Sequence, residues 1–340
     1  MTTSSAASLY KTVASLGLTR AQVRRLLPAW WDAAIERESS GVAELAMHLS
    51  RRLSLDLGAL LQGRLVPKGA VSQVAFKHSS NVEPTSLSAA TFIASSLSQT
   101  VLASMRVPYT ALPSEAQRVR ELATDGGKVL LGFDALLSLC WTHGIPVIPL
   151  PNLPVGVRKM DGAALKVGDR PVIVIARKKS SRAWLSFILA HEIGHVALGH
   201  LQASSSIVDI SLQETATYAT DSAADPQERD ADAFALQTMG GESVEREVSS
   251  WDQTLTPVEL AVRARQASAR MRIEAGHFIL RHAFTKKRWP EGMTALRFLS
   301  EDFDPESALL AQLRQHLDID RVSEDLRDLL MQVTGWEDQS

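Results

Sequence analysis

The sequence predicts a mostly helical α+β fold, in which a small antiparallel sheet packs on one apolar helix and helical regions flank it on both sides. Three observations carry this. Hydrophobic residues make up 45% of the 340 and charged residues 22%, the balance of a chain that builds a packed core over two or three domains. Most long segments repeat their apolar residues at helical spacing. One stretch, residues 144–176, reads instead as short apolar runs cut by turns, and the most apolar helical segment of the chain follows it directly.

The helical reading begins at residues 8–62. Thr19 is placed to cap a helix that runs through Leu26 and Leu27, and further helices fit Val42 to Leu53 and Leu55 to Leu61. Residues 1–70 contain nine basic against five acidic side chains through Lys68, and their order is similar to a small helix-turn-helix reader. That reading would allow direct DNA contact through residues 1–70. A helical packing region fits as well, because Trp30-Trp31-Asp32-Ala33 is bulky for a tight turn and no recognition helix stands out. Residues 64–85 are looser, broken by Gly63, Pro67, Gly69 and Pro84. Helices then fit Ser86 to Met105, Ser114 to Ala123 and Gly132 to His143, the last including Cys140 in an apolar run that marks it as a core thiol rather than a metal-capping switch.

The strands come next. Gly144 to Leu150 reads as one, Ala163 to Val167 as another, and Pro171 to Ala176 as the best in the chain, with turns at Asp161-Gly162 and Gly168-Asp169. Residues 202–227, rich in Ser, Thr, Ala and Asp, lack periodicity and read as a loop, with a flap over the site as one of its uses. Helices resume at Glu228 and continue through Pro257–Arg272, Pro290–Leu299, Pro305–Leu317 and Val322–Val333. The expected division is 1–70, a connector at 71–125, a central domain at 126–240 and a helical C-terminal domain at 241–340.

Composition excludes several classes of function. A net charge of −2 offers no global basic field for nucleic acid. Cys140 is the only cysteine, so no internal disulfide forms, which suits a reducing compartment. The opening MTTSSAASLYKTVAS lacks the apolar core of a signal peptide, and no uncharged apolar run reaches the ~18 residues of a membrane span. The expected location is cytoplasmic, with no membrane association.

The chemistry lies in the apolar helix. His191-Glu192-Ile193-Gly194-His195 is an H-E-x-x-H motif. Two histidines four apart on a helix point the same way and share one Zn²⁺, and Glu192, next to the first, is placed to take a proton from a water that the metal polarises. Such a motif behind a small sheet is the layout of a zincin-like peptidase core, whose edge strand faces the cleft and binds an extended peptide by strand addition.

A catalytic zinc takes three protein ligands. On a continuous helix His200 would lie ~180° from His191 and ~140° from His195, pointing away unless Gly199 breaks the helix. Leu198 and Leu201 also fail the three-histidine extension of the motif. Glu228 is the better third ligand, because Glu228, Ala231, Asp232 and Ala235 share one helical face, and the alanines let that helix come close. Asp232 is placed to accept from a ligand imidazole, whereas Asp230, ~200° from Glu228, faces solvent. Tyr218 and His200 are the candidates for stabilising the oxyanion.

The pair HEIGHVALGH and ERDADAFA, with the strand segment before it, resembles the ImmA/IrrE family of zinc metallo-endopeptidases over about residues 130–240. Members carry H-E-[LI]-G-H and then E-x-x-A-[ND]-x-F-A, whose Glu is the third ligand. The resemblance implies limited proteolysis of a protein substrate, usually a helix-turn-helix repressor, with derepression of genes for DNA damage response, mobile elements or phage defence. A reading from another class is a DNA-binding regulator whose peptidase-like domain serves as a sensor or interaction module. The intact His191, Glu192 and His195 favour catalysis over it.

Overall fold

Helix α8 (Arg182–Ala197), which carries the motif, sits at the centre of the fold. The structure is a computed structural model and describes residues 5–68, 73–77, 85–155, 157, 161–176, 181–201, 205–209, 226–299 and 303–336. Before α8 come α1 (Ala6–Ala14), α2 (Arg20–Arg25), α3 (Ser39–Arg52), α4 (Leu57–Leu61), β1 (Gln73–Lys77), α5 (Thr85–Ser104), α6 (Ala116–Ala123), α7 (Phe133–Thr142), β2 (Val147–Pro149), β3 (Gly162–Val167) and β4 (Arg170–Ile175). After it come β5 (Ser205–Asp209), α9 (Pro226–Thr238), α10 (Gly241–Ser249), α11 (Pro257–Met271), α12 (Ala275–Thr285), α13 (Trp289–Leu299), α14 (Pro305–His316) and α15 (Glu324–Thr334). The mostly helical α+β class is the observed one. Among the described residues no helix is long and apolar enough to cross a membrane.

The sheet is mixed rather than antiparallel. Its order is β1-β5-β3-β4-β2, with β3 antiparallel to both neighbours and the outer pairs, β1–β5 and β2–β4, parallel. The Gly168-Asp169 turn makes β3 and β4 a hairpin, with Val167 opposite Arg170 and Gly168 at a φ of +60°. β2 instead lies on the far edge of β4, so the chain crosses back before β3 and the outer pair runs parallel. Two strands fall in segments that read as irregular: β1 within residues 64–85 and β5 within 202–227. Each is five residues long, too short to show a period, and the ladder of a neighbouring strand orders it. Asp161-Gly162 is likewise not a turn, because Gly162 already belongs to β3.

α8 is capped by Ser181, whose hydroxyl accepts from the Trp184 N–H. Every residue from Ala183 to His195 is buried, as expected of a helix apolar on all sides. β3 and β4 cover one side, α9 another, and α7 and α12 the rest. Glu274, at the start of α12, fastens α8 to the C-terminal helices. It is 8% exposed, accepts from Ser186 Oγ at 2.5 Å and lies 3.7 Å from Arg182 Nε.

The N-terminal helices are also tied in. Thr19 and Gln22 form a reciprocal capping box on α2. On α3, Arg52 is 1% exposed and donates to Leu26 O at 2.6 Å, to Asp325 Oδ1 at 2.9 Å and to Asp325 O at 2.6 Å. His48 Nδ1 meets the same Asp325 oxygen at 2.8 Å. The bulky Trp30-Trp31 pair packs edge-on over His48, at 5.6 and 5.4 Å between ring centres. One guanidinium and one carboxylate therefore join the two ends of the chain.

Removing one partner leaves the other charge buried. Asp325→Ala should lower unfolding stability by about 3 kcal/mol, read as a drop in urea midpoint; an unchanged midpoint would show that the interlock carries no stability. A second prediction concerns pH. Burial pushes Glu274 up from 4.5 to about 7, against the pull of Ser186 and Arg182. A carboxyl raised on folding contributes stability that is complete below about 4.5 and lost as pH rises through about 7. The stability difference between the native protein and Glu274→Gln should thus shift by on the order of 3 kcal/mol against the native protein between pH 4 and pH 8. A pH-independent difference would contradict this placement of the carboxyl.

Candidate metal centre

The last turns of α8 turn His191, Glu192 and His195 into the interior, where they are 1%, 0% and 0% exposed. The Nε2 atoms of the two histidines lie 3.0 Å apart. α9 brings the third group: Glu228 oxygens stand 3.3 Å from His191 Nε2 and 3.5 Å from His195 Nε2. The ligand atoms of His191, His195 and Glu228 all fall within 4.8 Å of one another. The stripe read from the sequence is the buried face of α9, with Ala231 and Ala235 fully covered, while Asp230 is exposed.

The far nitrogens explain why both Nε2 atoms face this point. His191 Nδ1 is 2.8 Å from Asp232 Oδ1, and a carboxylate partner makes that nitrogen the N–H donor and leaves the lone pair on Nε2. His195 Nδ1 is 3.0 Å from His200 Nδ1. His200 does not point away as a continuous helix would require. Gly199, at a φ of +71°, ends the helix, and the N–H groups of Gly199 and His200 bond back to Val196 O and His195 O. These two bonds are a Schellman cap, and they fold His200 back beside His195. His200 is nonetheless outside the three-ligand cluster.

Electrostatics agree with a cation site. Burial above all pushes His195 down to about 4, so at neutral pH it is an uncharged ligand. Burial raises Glu228, but hydrogen bonds and charge from His191 and His195 outweigh it and hold the carboxylate below its usual range. Once the Nε2 protons that make those bonds are lost, a carboxylate and two imidazole lone pairs converge on one buried point and repel each other unless a cation lies between them. The set is two nitrogens and one oxygen, that of a three-ligand zinc site with an open position.

Residues 140–243 match the family model of the IrrE N-terminal-like domain, Peptidase_M78. This segment is a metallopeptidase domain of the ImmA/IrrE family. No curated protein and no solved structure matches the chain significantly. The M78 match spans every member of the metal cluster and the strands β3 and β4 beside it.

Two glycines of the M78 domain shape the site: Gly194, which belongs to the motif but has no role of its own in the sequence reading, and Gly162. Gly194 faces α9, where a Cβ would lie 3.2 Å from both Ala231 Cα and Ala231 O and 3.3 Å from Phe234 Cβ. A glycine in mid-helix was the available signal, since it costs about 1 kcal/mol unless something approaches it closely. Gly162, hidden by the turn reading, packs against the acid of the motif: a Cβ there would lie 2.3 Å from Glu192 Oε1. Tyr218 lies outside the described residues. Cys140 is fully buried, and burial raises its thiol far above the ordinary range, so it is a core side chain as read.

Gly194→Val should push α9 from α8 and withdraw Glu228. Competition against a calibrated chelator is expected to show zinc affinity falling by tenfold or more, and native affinity would mean that the helix contact does not position the ligand.

Proposed function

We propose that this protein is a zinc-dependent endopeptidase that makes site-specific cuts in a protein partner, a helix-turn-helix repressor, in a stress, DNA-damage or mobile-element and phage-defence response. The observation that carries the reading is a fully buried Glu192 beside the converging His191, His195 and Glu228. The choice of a repressor as partner is supported by the resemblance to the ImmA/IrrE family.

Zinc, when bound, acidifies a water and polarises the scissile carbonyl. His191, His195 and Glu228 are its ligands, and the burial of the two histidines keeps the site poor in competing solvent. Glu192 takes the proton of the attacking water at its carboxylate and delivers it to the leaving amine. Gly162 leaves room for that carboxylate beside β3, where a side chain would displace it. Asp232 and His200 hold the ligand imidazoles by their Nδ1 atoms and fix the tautomer that presents Nε2.

The test separates metal binding from chemistry. Glu192→Gln should keep full zinc content and lose cleavage of a repressor encoded beside the gene by at least 10²-fold. Glu228→Ala should lose zinc. Asp232→Ala and His200→Ala should weaken zinc by about 10- to 100-fold, with Asp232→Asn and His200→Gln recovering part of it. Cleavage by Glu192→Gln at the native rate would remove its role as base, and unchanged zinc content in Glu228→Ala would remove Glu228 as a ligand.

A further inference from the structure

The strand beside the metal centre already has an occupant. α8 packs under β3 and β4, and the start of β3, Gly162, lies against Glu192. A peptide cut here has to pass Glu192 in extended form, and the side of β3 away from β4 is where a strand would find a ready ladder of backbone donors and acceptors. That side is filled by β5. The two strands run antiparallel, with Gly162 opposite Asp209, Ala163 opposite Val208, Ala164 opposite Ile207 and Leu165 opposite Ser206. The C-terminal end of β5 thus arrives next to the base.

β5 is the chain's own return from the active-site helix. Leu201, just past the cap at Gly199, is 7% exposed and packs on Ala164 of β3. Four residues later the chain joins the ladder, and β1 closes the outer edge of β5 by parallel pairing. An incoming strand that runs in the direction of β5 can pair with β3 on one side and β1 on the other, and so replaces the hydrogen bonds that displacement of this five-residue strand breaks.

We infer that Ser205–Asp209 is an internal stand-in for the substrate strand: the substrate is an extended polypeptide segment that displaces β5 and lies antiparallel to β3, and until it does the chain blocks its own site. This rests on the zinc-endopeptidase reading. It also gives Ser205–Asp209 a definite task, that of selecting substrates able to present about four residues in extended form.

The experiment locks the strand. In Ala163→Cys/Val208→Cys the two positions face each other across the ladder, at a separation a disulfide spans on adjacent strands, and the one native cysteine is buried. The zinc-loaded protein is titrated by calorimetry with a tetrapeptidyl hydroxamate and with acetohydroxamate, oxidised and then reduced. The expected result is peptidyl binding at least tenfold weaker in the oxidised protein and restored by reduction, with acetohydroxamate bound equally by both. Ile207→Pro, which removes a ladder donor without a crosslink, should bind the peptidyl probe tighter than the native protein does. Equal peptidyl binding in locked and reduced protein and in Ile207→Pro, with acetohydroxamate still bound, overturns the strand inference alone. Failure of acetohydroxamate to bind any zinc-loaded form overturns the peptidase reading and the inference with it.

Discussion

The approach of α9 to α8 sets the metal centre. Where Gly194 meets Ala231 a Cβ would sit 3.2 Å from the Ala231 Cα and O, tighter than ordinary contact, so the two helices come together closely. Everything that α9 contributes follows from that one distance. Glu228 reaches both Nε2 atoms, and Asp232, one turn on, reaches the Nδ1 of His191. A metal site tolerates errors of a few tenths of an ångström in its ligands, and two surfaces this close have little freedom to drift. The helix that carries the motif is equally constrained, being buried over thirteen successive residues from Ala183 to His195.

Burial has a second consequence. It leaves His195 uncharged at neutral pH and places the Glu228 carboxylate beside both ligand nitrogens, an arrangement that a cation would relieve. The same low-polarity surroundings would strengthen each charge interaction made during hydrolysis. The flanking helices are fastened to this core: Glu274 fixes the start of α8 through Ser186, and Arg52 with Asp325 binds the first helices of the chain to the last.

Much of this was legible in the sequence because it is local. The H-E-x-x-H spacing, the acidic residue on the small-residue face of the next helix and the apolar strands are statements about neighbours a few residues apart. The direction of His200 turns on one glycine, the exception that the helical extrapolation carries: Gly199 in a left-handed conformation turns the chain back. β1 and β5 were missed for a different reason. Val74 and Val208 belong to strands that exist through pairing over more than a hundred residues of sequence, and no local pattern encodes that. Gly162 was hidden for the same reason, since its role depends on a side chain thirty residues away.

The central claim is that His191, His195 and Glu228 together hold one zinc ion with no sulfur ligand. X-ray absorption at the zinc edge of the loaded native protein measures this directly. The account predicts a first shell of nitrogen and oxygen only, at about 2.0–2.1 Å, with outer-shell scattering from two imidazoles. Scattering from a single imidazole or from three, or a sulfur shell at about 2.3 Å, would contradict it.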